Sequence, residues 1–231
     1  MTNRWLARVA SRVIEAFPGT FASNPRVHTC GNPVRPEIAA LPQPAERIPV
    51  ERDAPLRLLV MGGSLGAQAL NETVPQALAL LPEKERPQVV HQAGRGKLDS
   101  TREAYQRLGV EAELVEFIAD MPAVLARADL AVCRAGALTI AELAAAGVGA
   151  ILVPYPHAVD DHQTRNARYL SEADAALLMP QSELTAESLA KQLAALAADR
   201  PRLLAMAERA RGLARPQATR CVADLCLEVA A

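Results

Sequence analysis

The stretch Leu56–Leu81, LRLLVMGGSLGAQALNETVPQALALL, decides the fold. Its opening, Leu56–Met61, is a short and almost wholly apolar run, the pattern of a strand buried on both faces. Gly62, Gly63 and Gly66 then punctuate the chain with a tight turn. After the turn, Leu70, Val74, Leu78 and Leu81 recur at i, i+4, i+8 and i+11, which is one face of a helix. A strand, a glycine turn and a helix in that order make the first half of a βαβ unit.

The same alternation continues outward. Gln88–Gln92, Glu113–Phe117, Leu130–Cys133, Ala150–Val153 and Ala176–Met179 read as further strands. Helices fit Thr101–Leu108, Met121–Ala128, Thr139–Ala146, Gln163–Glu172, Thr185–Ala198 and Arg202–Leu213 between and after them. The expectation is an α/β doubly wound parallel sheet, Rossmann-like, over residues 51–215. Residues 1–50 do not fit the alternation. Asn3–Phe17 reads as a helix with Trp5, Val9, Val13 and Phe17 on one stripe, followed by a β-type stretch, Arg26–Cys30, and a proline-rich linker. That looks like the tail of a preceding domain. Residues 216–231 hold a last helix, Gln217–Ala230, expected to dock away from the main sheet.

Composition narrows the function class. Half the residues are apolar, which supports a packed soluble core, while aromatics make up only 3%, too few for a base-stacking platform. The net charge is −1 without a dense basic run, so no case exists for a nucleic-acid partner. The four cysteines form no CxxC pair, and reduced thiols in a cytoplasmic protein are expected. No apolar run approaches the roughly 18 residues of a membrane span.

Every unusual loop follows a strand, so all of them belong to the carboxyl edge of the sheet, where open parallel sheets bind ligands. Gly62–Gly66 enters a helix whose N–H groups and dipole suit an anion, and Ser64 adds a hydroxyl. The alternatives are a plain strand-to-helix turn or, since GGSLG also fits GxSxG, a hydrolase elbow with Ser64, Asp160 or Asp161, and His162. Ala137, Leu138 and Thr139 open a second helix on this edge. Glu142 is either the far end of a Thr139–Glu142 capping box or a carboxylate for a ribose diol. His157, His162, Asp160 and Asp161 lack metal-ligand spacing, and no metal or other cofactor is expected.

These loops, in this order, resemble the lipid-linked N-acetylglucosaminyltransferases of peptidoglycan synthesis, members of glycosyltransferase family 28. The resemblance runs through TNRWLARVA (Thr2–Ala10), GNPVR (Gly31–Arg35), GGSLGA (Gly62–Ala67), EFIADM (Glu116–Met121), CRAGALTIAELAAAG (Cys133–Gly147) and VPYPHAVDDHQTRNA (Val153–Ala167). It implies a GT-B enzyme whose C-terminal domain holds UDP-N-acetylglucosamine and whose N-terminal domain holds a lipid-linked muramyl-pentapeptide acceptor. Arg35 then resembles a donor-contacting arginine, Ser64 a ligand of the diphosphate, and Ile118 a backbone partner of uracil. Ala137, Leu138 and Thr139 resemble the segment at the phosphates and sugar, Glu142 the ribose ligand, and Gln163 a reader of the sugar hydroxyls. The resemblance also implies a place on the cytoplasmic face of the inner membrane. The acceptor domain's glycine-rich loops and base have no counterpart in this sequence, so no general base is assigned. A donor-binding subunit completed by a second chain, and a noncatalytic nucleotide-binding module, are the other readings.

Overall fold

Alternation along Leu58–Met61 sends Leu58 and Val60 to one face of a sheet and Leu59 and Met61 to the other. All four are buried, so helices must cover both faces. The computed structural model, which describes residues 2–49, 54–156, 158 and 161–230, has this layered form.

Six parallel strands carry the main sheet: β3 (Arg57–Met61), β4 (Gln88–Gln92), β5 (Glu113–Val115), β6 (Leu130–Cys133), β7 (Gly149–Leu152) and β8 (Ala176–Leu178). Their spatial order is β5-β4-β3-β6-β7-β8, so the winding reverses between β3 and β6. The observed strands agree with the expected ones to within two residues at each end. One face is covered by α6 (Met121–Arg127), α7 (Ala137–Ala146) and α8 (His162–Ser171), through Leu125, Ile140, Leu143 and Leu170. The opposite face packs α4 (Gln68–Ala79), α5 (Leu98–Arg107) and α9 (Ala186–Ala198). Leu70, Val74 and Leu78 are fully buried there, each contributing about 1.5–3 kcal/mol. The expected helical stripe is thus the face that meets the sheet. The next helix, α10 (Arg200–Gly212), adds Leu203 and Met206 to the same core.

The N-terminal segment differs from expectation. Its helix, α1 (Thr2–Val9), is short, and Val13–Glu15 is a strand, β1, paired in parallel with β2 (Val27–Thr29). The Trp5–Phe17 stripe is therefore split. Trp5 and Val9 are exposed, at 64% and 82%, whereas Val13 and Phe17 are buried at 8% each. The β-branched pair Val13-Ile14 finds a partner strand, and that long-range pairing overrides a helical spacing which was only local. Phe17 packs on Tyr169 of α8 with ring centroids 4.7 Å apart, against this chain's own main domain.

The proline-rich linker is also structured. Pro36 and Pro44 each start a one-turn helix, α2 (Pro36–Ala39) and α3 (Pro44–Arg47), as proline does at a first helical position. Arg47 donates to Leu125 and Ala126 at the end of α6 and to Ala146 and Gly147 at the end of α7. Arg211 reaches Ala145, Ala39 and Leu41. Two guanidinium groups thereby cap the carbonyl ends of helices and hold the linker against the main domain. Burial and the neighbouring charges of Arg211 and Arg57 lower the Arg47 pKa.

The last helix, α11 (Ala218–Ala230), returns to the N-terminal segment. There Cys221 is disulfide-bonded to Cys30, across 191 residues, at a Cα–Cα distance of 5.6 Å. This corrects the expectation of four reduced thiols. Only the fold brings the two sulfurs together, and the spacing of cysteines in sequence carries no sign of it. Cys133 and Cys226 are free. No helix among the described residues is long and apolar enough to cross a membrane.

Candidate functional site

The reversal of strand order fixes where the site falls. Met61 at the end of β3 is in register with Cys133 at the end of β6, so the loops that follow leave the sheet side by side. Between them and α8 lies a cleft of about 610 Å3, lined by Gly62, Gly63, Gly66, Gly136, Thr139 and Gln163 among others. That volume is in the range of small-molecule sites.

The first wall is the Gly62–Gly66 loop. Gly66 donates to the carbonyl of Gly63 at 2.8 Å, closing the turn, and α4 starts at Gln68 with Ala67 as its cap. Alanine offers no side-chain oxygen, so the helix mouth keeps unpaired N–H groups facing the cleft. Gly66 has φ +67°, and a Cβ there would overlap the carbonyl oxygen of Ala93. The loop after β4 is pressed against it: Arg95 N–H donates to Ser64 O at 3.0 Å.

Behind this contact runs a buried polar chain. Asn71 donates its amide to Ala93 O at 2.9 Å, and its oxygen faces His91 Nε2 at 3.0 Å. His91 Nδ1 meets the Tyr105 hydroxyl at 2.9 Å. Since the Asn71 nitrogen is committed to Ala93, Nε2 must carry the imidazole proton and Nδ1 must accept from tyrosine. Burial lowers the His91 pKa to about 4 and raises that of Tyr105.

The second wall is the mouth of α7. Its cap is Gly136, with no side-chain hydrogen bond, and Ile140 N–H closes the first turn on Gly136 O at 3.0 Å. Because the helix starts at Ala137, Thr139 is inside it and is not the cap, which removes the capping-box reading of Glu142. The Glu142 carboxylate instead accepts from Arg35 at 2.8 Å, and its side chain is only 12% exposed.

Gln163, in the first turn of α8, accepts with its side-chain oxygen from Ala135 N–H at 3.2 Å and Tyr155 N–H at 2.9 Å. Asn166 donates to Ala135 O at 3.0 Å. Arg134 donates to Val153 O and Pro154 O, both at 3.1 Å, and to Gln181 at 2.6 Å. Burial lowers its pKa. These bonds lock the loops after β6 and β7 together and leave the Gln163 amide N–H groups to donate.

Not every expected residue shares the one cleft. Ser64 is exposed on its loop between Gly63 and Leu65, and Ile118 is buried beyond β5, in the core beside Leu125. Ala137 lines a second cleft of about 490 Å3 with Glu15, Phe17, Thr20, His162 and Asn166. Leu138 is half exposed, at 52%. Asp160 and His157 lie outside the described residues. Ser64 Oγ has no hydrogen bond among the described residues, so the hydrolase reading gains no base. Cys133, fully buried with its thiol pushed up to about 12, is no nucleophile either.

A doubly wound sheet whose strand order reverses between β3 and β6, with two helix mouths that lack a side-chain cap beside the reversal, is a Rossmann-like domain. Residues 57–221 match the glycosyltransferase family 28 C-terminal domain, and the chain belongs to that family. Over 230 residues it is 54% identical to the UDP-N-acetylglucosamine--N-acetylmuramyl-(pentapeptide) pyrophosphoryl-undecaprenol N-acetylglucosamine transferase of Marinobacter nauticus, covering 100% of this chain and 63% of that one. The transferase of the same name from Hahella chejuensis is 58% identical over 231 residues, covering 100% of this chain and 64% of that protein. The crystal structure of Acinetobacter baumannii MurG superposes with a TM-score of 0.83 at 41% identity, covering 99% of this chain and 63% of the other. The chain thus spans less than two thirds of the length of these relatives.

Proposed function

We propose that the cleft between the Gly62–Gly66 loop and α7 binds UDP-N-acetylglucosamine, and that the chain is the donor-binding half of an inverting N-acetylglucosaminyltransferase. The acceptor on this reading is undecaprenyl-diphosphate-linked N-acetylmuramyl-pentapeptide, as the relatives' names indicate. The carrying observation is the convergence of Gly62, Gly63, Gly66, Gly136, Thr139 and Gln163 on one cleft in a family 28 chain.

The roles follow from the chemistry of the donor. The Gly62–Gly66 loop with Ser64, and the mouth of α7 at Ala137–Thr139, face the diphosphate with N–H and hydroxyl donors. Glu142 accepts from the ribose hydroxyls, and Arg35, already paired with it, orients its carboxylate. Ile118 pairs through its backbone with uracil, and the Gln163 amide donates to the sugar. When an acceptor 4-hydroxyl attacks the anomeric carbon, the bond to the diphosphate oxygen breaks and negative charge collects on the departing UDP. Fixed donors aimed at that charge lower the barrier. The remainder of the machinery, acceptor site and general base included, is assigned to polypeptide beyond this chain. The exposed Trp5, Leu6 and Val9 of α1 provide an apolar surface for it, whether it is contiguous or a separate subunit. The complete assembly works on the cytoplasmic face of the membrane that carries its acceptor.

Calorimetric titration of the chain with UDP and with UDP-N-acetylglucosamine tests the reading. Saturable heat is expected for both, and stronger binding for the sugar-bearing ligand. Equal affinity for the two would reduce the chain to a nucleotide-binding module. No heat and no thermal shift at millimolar ligand would overturn the proposal.

A further inference from the structure

Two basic side chains line the cleft, Arg134 and Lys97. The guanidinium of Arg134 is committed to two carbonyls and Gln181. Lys97 differs. Its backbone is fixed, with N–H donating to Gly94 O at 3.1 Å and its carbonyl accepting from Thr101 Oγ1 at 2.7 Å. Its ammonium has no ion pair or hydrogen bond among the described residues.

The placement of this lysine is electrostatically uphill without a ligand. Lys97 is the cap residue of α5. Helix starts favour an oxygen acceptor at that position and repel a cation, because the positive end of the dipole lies there. In the first turn Asp99 is paired with Arg102 at 2.6 Å, and beside the mouth the Glu116 carboxylate is taken up by Gly96 N–H at 2.5 Å. A half-buried lysine at a helix mouth, on the wall of a cleft that already holds two other helix mouths, is a concentration of positive potential. The loop that carries it cannot swing away freely. Gly94 abuts the backbone of Gly66, Arg95 is bonded to Ser64, and Asn71 grips Ala93.

We propose that Lys97 is a binding residue for the diphosphate of the nucleoside diphosphate donor, supplying the full positive charge that the helix mouths of α4 and α7 supply only in part. The inference rests on the proposed function and adds the loop after β4 to the site. A lysine ammonium suits this task because it can follow the phosphate oxygens as the sugar bond lengthens, acting as a mobile point charge.

Titrations of the 231-residue chain and of its K97M and K97R variants with UDP and with uridine, at low and moderate salt, decide it. Loss of one charge-assisted contact predicts about tenfold weaker UDP binding by K97M, with uridine affinity unchanged within about twofold. K97R should recover most of the loss, and the salt dependence of UDP binding should be shallower in K97M than in the parent. UDP binding by K97M within about twofold of the parent, with the parent binding normally, overturns this inference and leaves the proposed function standing. Failure of the parent to bind UDP overturns both. Matching melting temperatures for the three proteins confirm that the comparison is between folded chains.

Discussion

The guanidinium of Arg35 lies 2.8 Å from the carboxylate of Glu142, 107 residues further along the chain. The pair joins the segment that leads into α2 to the second turn of α7, directly behind a helix mouth. Arg35 is 46% exposed, so solvent screens the attraction and the pair contributes at most about 1 kcal/mol to stability. Glu142 does not cap its helix either. Glu142→Ala is therefore expected to leave the denaturation midpoint nearly unchanged while weakening uridine-nucleotide binding about tenfold, the value of one good charge-assisted contact. Urea denaturation and calorimetry on the same variant separate the two effects. A large stability loss with affinity intact would return Glu142 to a purely structural role.

His91 sets a pH dependence. Its pKa falls from 6.5 to about 4 because burial penalises the imidazolium. Unfolding exposes the ring and restores the ordinary value, so the unfolded chain binds the proton more tightly. The contribution is complete above pH 6.5 and is lost as pH falls from 6.5 towards 4. By pH 5 the loss is about 2 kcal/mol from this group. Urea midpoints at pH 7 and pH 5 measure it, and the imidazole nitrogens in NMR should report the Nε2–H tautomer throughout that interval. A His91 titration near 6.5 would contradict the buried-chain account.

Much of this fold is legible in the residues alone. Leu58–Met61 and the Leu70–Leu78 stripe specify their elements locally, so β3 and α4 fall where expected. Glycine turns after apolar runs also reveal the carboxyl edge. What is not legible depends on distant partners. The Val13-Ile14 pair belongs to a strand only because Val27–Thr29 lies beside it. A T-x-x-E spacing is identical whether its helix starts at Ala137 or after Thr139, and only the backbone distinguishes them. Asn71, His91 and Tyr105 carry no joint pattern, since their contacts span 14 and 20 residues. Lys97 sits in a loop whose approach to Gly66 leaves one trace in the sequence, the paired glycines Gly94 and Gly96 of AGRGK.

Two glycines of the same loop should respond differently to alanine. Gly63 has φ +83° but open space where a Cβ would stand, so Gly63→Ala meets only the left-handed penalty, about 1–2 kcal/mol. At Gly66 the Cβ collides with the backbone of Ala93 and Gly94, which cannot rotate out of the way. Gly66→Ala must push apart the loops after β3 and β4 and should abolish UDP binding even where the protein still folds. Circular dichroism melts with parallel titrations test the contrast. Equal behaviour of the two variants would mean that the loops are not interlocked.

The Cys30–Cys221 bond makes a prediction that counts atoms. Denatured without reductant, the chain should show two reactive thiols, Cys133 and Cys226, and four after reduction. In the native state only the exposed Cys226 should alkylate readily, because Cys133 is buried and its thiol is held at about 12, far from thiolate at neutral pH. The bond closes nearly the whole chain into a loop, so its reduction removes a constraint on the unfolded state worth about 2–4 kcal/mol. It also frees α11 from the segment that follows β2. Reduction should accordingly lower the urea midpoint and speed proteolysis within 218–230. Four reactive thiols in the unreduced denatured chain would show that the sulfurs are adjacent but unbonded, and the C-terminal helix would then be held by packing around the buried Ala218 and the half-buried Val222 and Leu225.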